Sequence, residues 1–414
     1  MYFGTDGIRS QDVEALRKMG YQMGFAQRGK GTVVVAEDNR PSSERIVKAV
    51  LAGLRDAECE ILYGGVMPIA ALQYAVNHFT ADAGIMVTAS HNPARYNGLK
   101  FFNAEGVKPD AAEIEALERA MAEVTYAGQE YTLAPTDTMV KAYVDKFARF
   151  GPLPLRIAVD CANGAAYPTV KRIVSRLSPD AIYLHHGEGK WINRACGATQ
   201  PDILRELHDV DLSFALDGDG DRCILVTRGH RVVDGDGMLY LLARYYRAQG
   251  RDLGVGVVST VMANGALAKA LNSLGLRLFR CDVGDKNVAM TMREKGCVLG
   301  GEPSGHILIE EGASDGILTG LTMAAIATQM DIDEALADYE PWPQYHTEVA
   351  LSPHALRLAK AAEDKWRDYL AGTGRVVVRP SGTEPVVRIM VECESMHLAE
   401  NIAESIVQAT KRAQ

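Results

Sequence analysis

One pattern recurs three times along this chain, and it restricts the fold more than any other feature. A β-branched run leads into a polar or glycine-containing turn, then an amphipathic helix, then a second apolar run. The copies read TVVVAEDNR, SSERIVKAVLAGLRDA, ILYGG; then LRIAVDCANG, AYPTVKRIVSRLS, AIYLHH; then LGVGVVSTVMANG, ALAKALNSLG, LRLFRC. Valine-rich runs with little alternation suit strands covered on both faces, which predicts parallel or mixed sheets. The copies start near residues 32, 155 and 254. That spacing is too wide for a solenoid and indicates three tandem related α/β domains. The end of the chain differs. RVVVRPSGTEPVVRIMVECE reads as two strands across a loop, flanked by helix-like stretches, giving a small C-terminal α+β domain. The expected domains are 1–150, 151–250, 251–344 and 345–414, with the two prolines of YEPWPQ stopping regular structure before the last.

Bulk properties narrow the function. A length of 414 residues exceeds one comfortable core, and 47% hydrophobic with 23% charged residues is ordinary for a soluble globular protein. The net charge is −9 and no Lys/Arg run reaches five residues, so nucleic acid and anionic membrane are excluded as expected partners. An anionic small molecule would need arginines concentrated locally. Seven scattered cysteines without a C-x-x-C pair support neither a disulfide framework nor a zinc site. Reduced thiols and a cytoplasmic setting are expected, because MYFGTDGIRS lacks the basic and apolar regions of a secretory signal. The most apolar window, 316–330, suits a buried helix better than a membrane span.

Four motifs carry chemistry. DGDGDR at 217–222 follows the apolar run LSFAL. Asp217, Asp219 and Asp221 alternate along an extended segment and so project to one side, while the glycines let the backbone fold around a cation. Three adjacent carboxylates repel one another unless a divalent ion compensates, and all-oxygen ligands favour Mg²⁺, Mn²⁺ or Ca²⁺. An EF-hand is excluded by position, because Arg222 and Arg228 stand where Gly and Glu are required. TASHNP at 88–93 also follows an apolar run. Beside a metal loop, Ser90 becomes a candidate phosphoryl carrier, and its phosphate a further metal ligand. RPSGTEP at 379–385, with Arg388 beyond it, offers the guanidinium groups of Arg379 and Arg388, the hydroxyls of Ser381 and Thr383, and backbone N–H groups through Gly382. That is an anion site. GGEPSGH at 300–306 supplies Glu302, Ser304 and His306 as donors and acceptors for sugar hydroxyls.

In this order and spacing, the four motifs resemble the α-D-phosphohexomutase superfamily, from FGTDGIR at 3–9 to SGTEP at 381–385. Within it, YFGTDGIR, NGLKFF, VDCANGA and VDGD are most similar to the bacterial branch acting on glucosamine phosphates. The resemblance implies four domains around a central cleft. It implies conversion of glucosamine 6-phosphate to glucosamine 1-phosphate, on the route to UDP-N-acetylglucosamine, with hexose 1,6-bisphosphate as activator and Mg²⁺ as cofactor. Carried over by motif, Ser90 is the phosphoserine, and Asp217, Asp219 and Asp221 are metal ligands. Arg9 and Arg222 line the transfer site. Lys100 stabilises charge or moves a proton, a role shared as an alternative by His306 near the reacting end. Glu302 and Ser304 hold sugar hydroxyls, and Arg379, Ser381, Gly382, Thr383 and Arg388 hold the non-reacting phosphate. Tyr96, Pro303, Lys286 and Ser10 depart from the usual pattern and bear on substrate choice, with a phosphomannomutase/phosphoglucomutase as the alternative. A small phosphosugar is thus the expected partner, and a homodimer is left open. An aspartate-nucleophile phosphatase and a silent sugar-phosphate sensor are the competing classes.

Overall fold

The computed structural model describes every residue except 1–2, 5–6, 310–312, 371, 382–384 and 412–414. Its strands form four sheets, and the first three share one connectivity. In the first sheet Thr32–Glu37 is central, with Glu60–Val66 parallel on one side and Ala83–Val87 parallel on the other. Asn97–Phe102 then returns antiparallel beside Ala83–Val87, and Ile8–Ser10 closes the edge. The second sheet repeats this with Ile157–Asp160 central, Ile182–Leu184 and Leu212–Leu216 parallel to it, and Cys223–Thr227 antiparallel. The third does so with Gly256–Thr260, Arg277–Cys281, Leu299–Gly301 and Ile307–Ile309. The recurring sequence pattern is therefore a recurring mixed sheet.

The lack of alternation in TVVVAE has a packing cause. Val33 and Val35 join one apolar cluster with Ile46, Val50 and Leu54 of the helix Ser43–Asp56. Val34 and Ala36 join another on the opposite face, with Ile69 and Leu72 of the helix Ile69–His78. Both faces of the strand are covered along residues 33–36, so those four positions are all apolar. The second cluster runs on through Val159, Phe214, Leu239, Val257 and Tyr339, and one continuous interior joins the three sheets. The helix Gly316–Ala327 lies in it, as its composition predicted. Among the described residues no helix is long and apolar enough to cross a membrane.

The C-terminal sheet has three strands, one more than expected. Gln344–Ala350 pairs antiparallel with Val386–Cys393, which pairs antiparallel with Gly374–Pro380. QYHTEVA gives a weak strand signal because every second residue faces away from the core. Tyr345 and Val349 cover the apolar cluster beneath the helices Pro353–Tyr369 and Met396–Lys411, while Gln344, His346 and Glu348 point the other way.

Candidate active site

The three sheets place their chemistry at one equivalent position, the turn between the third parallel strand and its antiparallel neighbour. In the first sheet that turn holds Ser90, in the second Asp217, Asp219 and Asp221, and in the third Glu302, Ser304 and His306. The turns meet. Ser90 Oγ donates to Asp217 Oδ2 at 2.8 Å, and His306 Nε2 lies 3.1 Å from Asp221 Oδ1. Gly218 permits the first approach, since a Cβ there would lie 2.4 Å from the Ser90 carbonyl oxygen.

Ser90 is buried and has φ of 50°, a backbone conformation that is costly for a residue with a side chain. Its surroundings hold it there. Its N–H donates to Thr88 Oγ1 at 2.9 Å, and its carbonyl accepts from Arg40 Nη2 at 2.7 Å and Asn193 Nδ2 at 2.8 Å. Arg40 also donates to the carbonyls of Asn92, Pro93 and Tyr96 at 2.7–2.9 Å, so one guanidinium collects four carbonyls of this loop. Its charge is balanced by Asp38 at 2.7 Å, with both side chains fully buried. Asp38 in turn accepts from Thr88 Oγ1 and Ser43 Oγ. Arg40, Asp38, Thr88 and Asn193 were not singled out from the sequence. Charged residues directly after a valine-rich strand were the available signal. His91 sits with Nδ1 3.4 Å from Ser90 Oγ. Burial, then Arg222 and Arg9, lowers it to about 3 and keeps the ring neutral. Arg9 reaches the same loop through Asn92 Oδ1 at 2.6 Å.

The three aspartates are buried, and each offers an oxygen within 4.8 Å of the others. Lys100 Nζ lies 3.0 Å from Asp219 Oδ2 and 3.6 Å from Asp221 Oδ2. Arg222 Nε lies 3.8 Å from Asp217 Oδ2 and His306 faces Asp221, so each aspartate has a cation at its edge. Burial, then the charge on Asp221, pushes Asp219 up to about 8 against the pull of Lys100. The same two causes raise Asp217. Burial also opposes ionisation of Asp221, but His306 and Lys100 outweigh it and hold that carboxyl well below the usual range. Asp219 Oδ1 is buried without a hydrogen-bond partner. An orphaned carboxylate oxygen among three converging hard donors fits a divalent cation of the Mg²⁺ type.

His306 ties the second and third turns together. Its Nδ1 lies 3.0 Å from Glu302 Oε2 and its Nε2 faces Asp221. Burial lowers its affinity for a proton, but Asp221 more than reverses this and carries it up to about 10. Glu302 also accepts from the Gly284 N–H at 3.0 Å, and Ser304 Oγ lies 3.3 Å from His306 Nδ1. Arg222 pairs with His306 in an isolated bridge, and its N–H donates to Asp217 Oδ1 at 3.2 Å.

Arg379 and Arg388 stand directly opposite one another in the C-terminal hairpin, just before and after its loop. They line a cavity of about 520 Å³ that contains neither Ser90 nor the aspartates. Ser381 closes the hairpin with its N–H on the Val386 carbonyl at 2.9 Å. Gly382 and Thr383 lie outside the described residues. Burial, then Arg388, lowers the proton affinity of Arg379, and the Glu302 charge acts in the opposite sense. A second group of donors, Asp160, His185 and Cys196, comes together without any spacing signal. There the Asp160 oxygens accept the N–H groups of Ala162 and Gly197, which ties two loops.

Comparison with known proteins agrees with this arrangement. Residues 1–127 match the family described as phosphoglucomutase/phosphomannomutase, alpha/beta/alpha domain I. Residues 234–342 match its alpha/beta/alpha domain III, and residues 347–409 its C-terminal domain. The phosphoglucosamine mutase of Sodalis glossinidius is 36% identical over 442 aligned positions, covering 100% of this chain and 99% of that protein. The chain belongs to the phosphohexomutase superfamily. As a phosphohexomutase it is an enzyme of the isomerase class that moves a phosphoryl group within one molecule, and it is most similar to phosphoglucosamine mutases. A phosphoglucomutase/phosphomannomutase family protein from Burkholderia thailandensis superposes with a TM-score of 0.82 at 25% identity, covering 100% of this chain and 97% of that one. The Aspergillus fumigatus N-acetylphosphoglucosamine mutase, solved with GlcNAc-6P and magnesium, shares the fold with a TM-score of 0.64 at 19% identity, covering 100% and 96%. In this phosphohexomutase the three matched segments hold Ser90, the Glu302–His306 turn and the arginine hairpin.

Proposed function

We propose that this enzyme interconverts glucosamine 6-phosphate and glucosamine 1-phosphate through a phosphorylated Ser90 and a 1,6-bisphosphate. The observation that carries the reading is the buried Ser90 hydroxyl 2.8 Å from Asp217, beside a triplet of converging carboxylates in which Asp219 Oδ1 has no hydrogen-bond partner. Full-length similarity to phosphoglucosamine mutases supports the choice of sugar.

In the first half-reaction the bond between phosphorus and Ser90 Oγ breaks and one to the sugar O1 forms, with a net proton passing from that hydroxyl to Oγ. The bisphosphate then turns end for end, and its 6-phosphoryl returns to Ser90. Asp217, Asp219, Asp221 and the phosphate on Ser90 would hold Mg²⁺, which supplies positive charge beside the phosphoryl group in transit. Lys100 offsets the aspartate charge, and Arg9 and Arg222 add cations at the rim. His306 keeps the second and third turns in register. Arg379, Ser381, Gly382, Thr383 and Arg388 grip whichever phosphate is not reacting, which asks for charge recognition rather than tight shape. Water must be kept out while the intermediate turns.

The test is turnover with glucosamine, mannose and glucose 6-phosphates, each primed with catalytic hexose 1,6-bisphosphate and Mg²⁺. Glucosamine 6-phosphate should give the highest kcat/KM. Preference for mannose or glucose phosphate would move the enzyme to the phosphomannomutase/phosphoglucomutase branch, for which Tyr96 speaks. Steady release of inorganic phosphate instead of isomerisation would overturn the mutase reading.

A further inference from the structure

The open face of the C-terminal sheet carries more than two arginines. Strand pairing sets His346 opposite Met390 and Met390 opposite Val377, while the next row holds Glu348, Arg388 and Arg379. Directly opposed residues share a face, and so do residues two apart on one strand. His346 therefore stands on the same face as Arg379 and Arg388, diagonal to Arg388. Met262 of the third unit lies across from it, and together they enclose the cavity of about 520 Å³. That volume suits a hexose phosphate.

One end of this face is closed. Arg375 pairs with Glu392 at 3.0 Å and donates to the Val261 carbonyl at 2.5 Å, and Gln344 donates to Glu392 at 2.5 Å. The row of Arg379 and Arg388 lies toward the other end, and His346 is exposed on its strand. Of the described residues lining the cavity, His346 alone has an ordinary titration range near neutrality. Among the described residues, the charged groups around it are Glu348 on its own strand, Arg388 and Glu392 on the middle strand, and Arg375 and Arg379 on the far one. From the third unit, Met262 brings no charge, and Arg280 is turned to the carbonyls of Ala263 and Asn264. Partial loss of water, then Arg379, lowers the proton affinity of His346, with Glu392 pulling the other way. Arg379 and Arg388 share the cavity with the single carboxylate of Glu348 among its described lining residues, a net positive lining that suits an anion, and the imidazole shares that field.

We propose that His346 is a substrate-positioning residue that joins Arg379 and Arg388 on the non-reacting phosphate and takes up a proton as that phosphate docks. The proposal rests on the reading of this cavity as the sugar-phosphate site of a mutase. A phosphate dianion reverses the sign of the field at the ring, so docking and proton uptake reinforce one another, and release reverses both.

The experiment is steady-state kinetics of the full-length enzyme with glucosamine 6-phosphate at several pH values, for the parent, His346→Gln, His346→Ala and Arg379→Ala. His346→Gln should raise KM about tenfold near pH 6.5, the scale of one hydrogen bond to a charged group. The effect should shrink toward pH 9, where the ring is neutral even in the complex, and it should fall on KM rather than kcat. Arg379→Ala should raise KM at every pH. If His346→Gln leaves KM unchanged, or shifts it by one factor at all pH values, while Arg379→Ala weakens binding, His346 is not a proton-carrying ligand. If Arg379→Ala binds as tightly as the parent, the cavity is not the phosphate site, and the mutase assignment of this hairpin fails with the proposal.

Discussion

Ser90 Oγ and Asp217 Oδ2 are 2.8 Å apart across 127 positions of sequence. The relationship follows from the repeated connectivity of the first two sheets, each of which presents the turn after its third parallel strand. The Ser90 hydroxyl on one unit and the aspartates on another meet because the units pack through one shared interior.

That meeting depends on the absence of a side chain at Gly218, where a Cβ would lie 2.4 Å from the Ser90 carbonyl oxygen. Gly218→Ala should cost about 1–3 kcal/mol of stability by overpacking. It should also lower kcat by roughly 100-fold, because a shift of about 1 Å misaligns the transfer. Parallel unfolding and turnover measurements check it. Normal kcat in a destabilised protein would show that the close approach is structural only.

Arg40 spans four carbonyls of the Ser90 loop and neutralises Asp38. Arg40→Ala should destabilise by about 3–5 kcal/mol, since it strands a buried charge. Arg40→Lys keeps the charge but loses the planar fork. It should remain folded while kcat falls more than KM changes. A lysine variant with parental kcat would argue against loop positioning.

Glu37 is buried at the end of the first central strand and accepts from Tyr63 Oη. Burial is the largest influence and carries it up to about 7; the Tyr63 hydrogen bond opposes that, and the Asp38 charge adds to it. The folded protein therefore binds a proton at Glu37 that the unfolded chain has released. The contribution is complete below about pH 4.5 and disappears as pH rises through about 7. Glu37→Gln, which resembles the protonated form, should match the parent near pH 4.5 and exceed its stability by on the order of 3 kcal/mol at pH 8. Urea unfolding at both pH values measures this. A difference independent of pH would contradict it.

What the sequence made legible was chemistry that follows an apolar strand. The motifs of Ser90 and the aspartates each follow one, and the repeat pattern predicted parallel or mixed sheets; the Glu302–His306 turn follows only the short strand Leu299–Gly301 and was a weak motif on its own. Arg40 and Asp38 escaped notice because a charged pair after a strand ordinarily reads as a solvated turn, and only packing shows that both are fully buried. Asn193 was invisible for another reason. Its two bonds to the Ser90 loop cross about a hundred positions, and no local spacing encodes them. The strand Gln344–Ala350 was missed because its alternate residues face a polar cavity rather than a second apolar layer.

The central claim is that Ser90 carries the phosphoryl group, and mass spectrometry of the Ser90 peptide tests it most directly. A single phosphate should be present on that peptide after priming with hexose 1,6-bisphosphate and Mg²⁺. A chase with excess glucosamine 6-phosphate should move it onto the sugar as a bisphosphate, and Ser90→Ala should lose at least ~10³-fold in kcat. A peptide that never carries phosphate, together with full turnover by Ser90→Ala, would contradict the account.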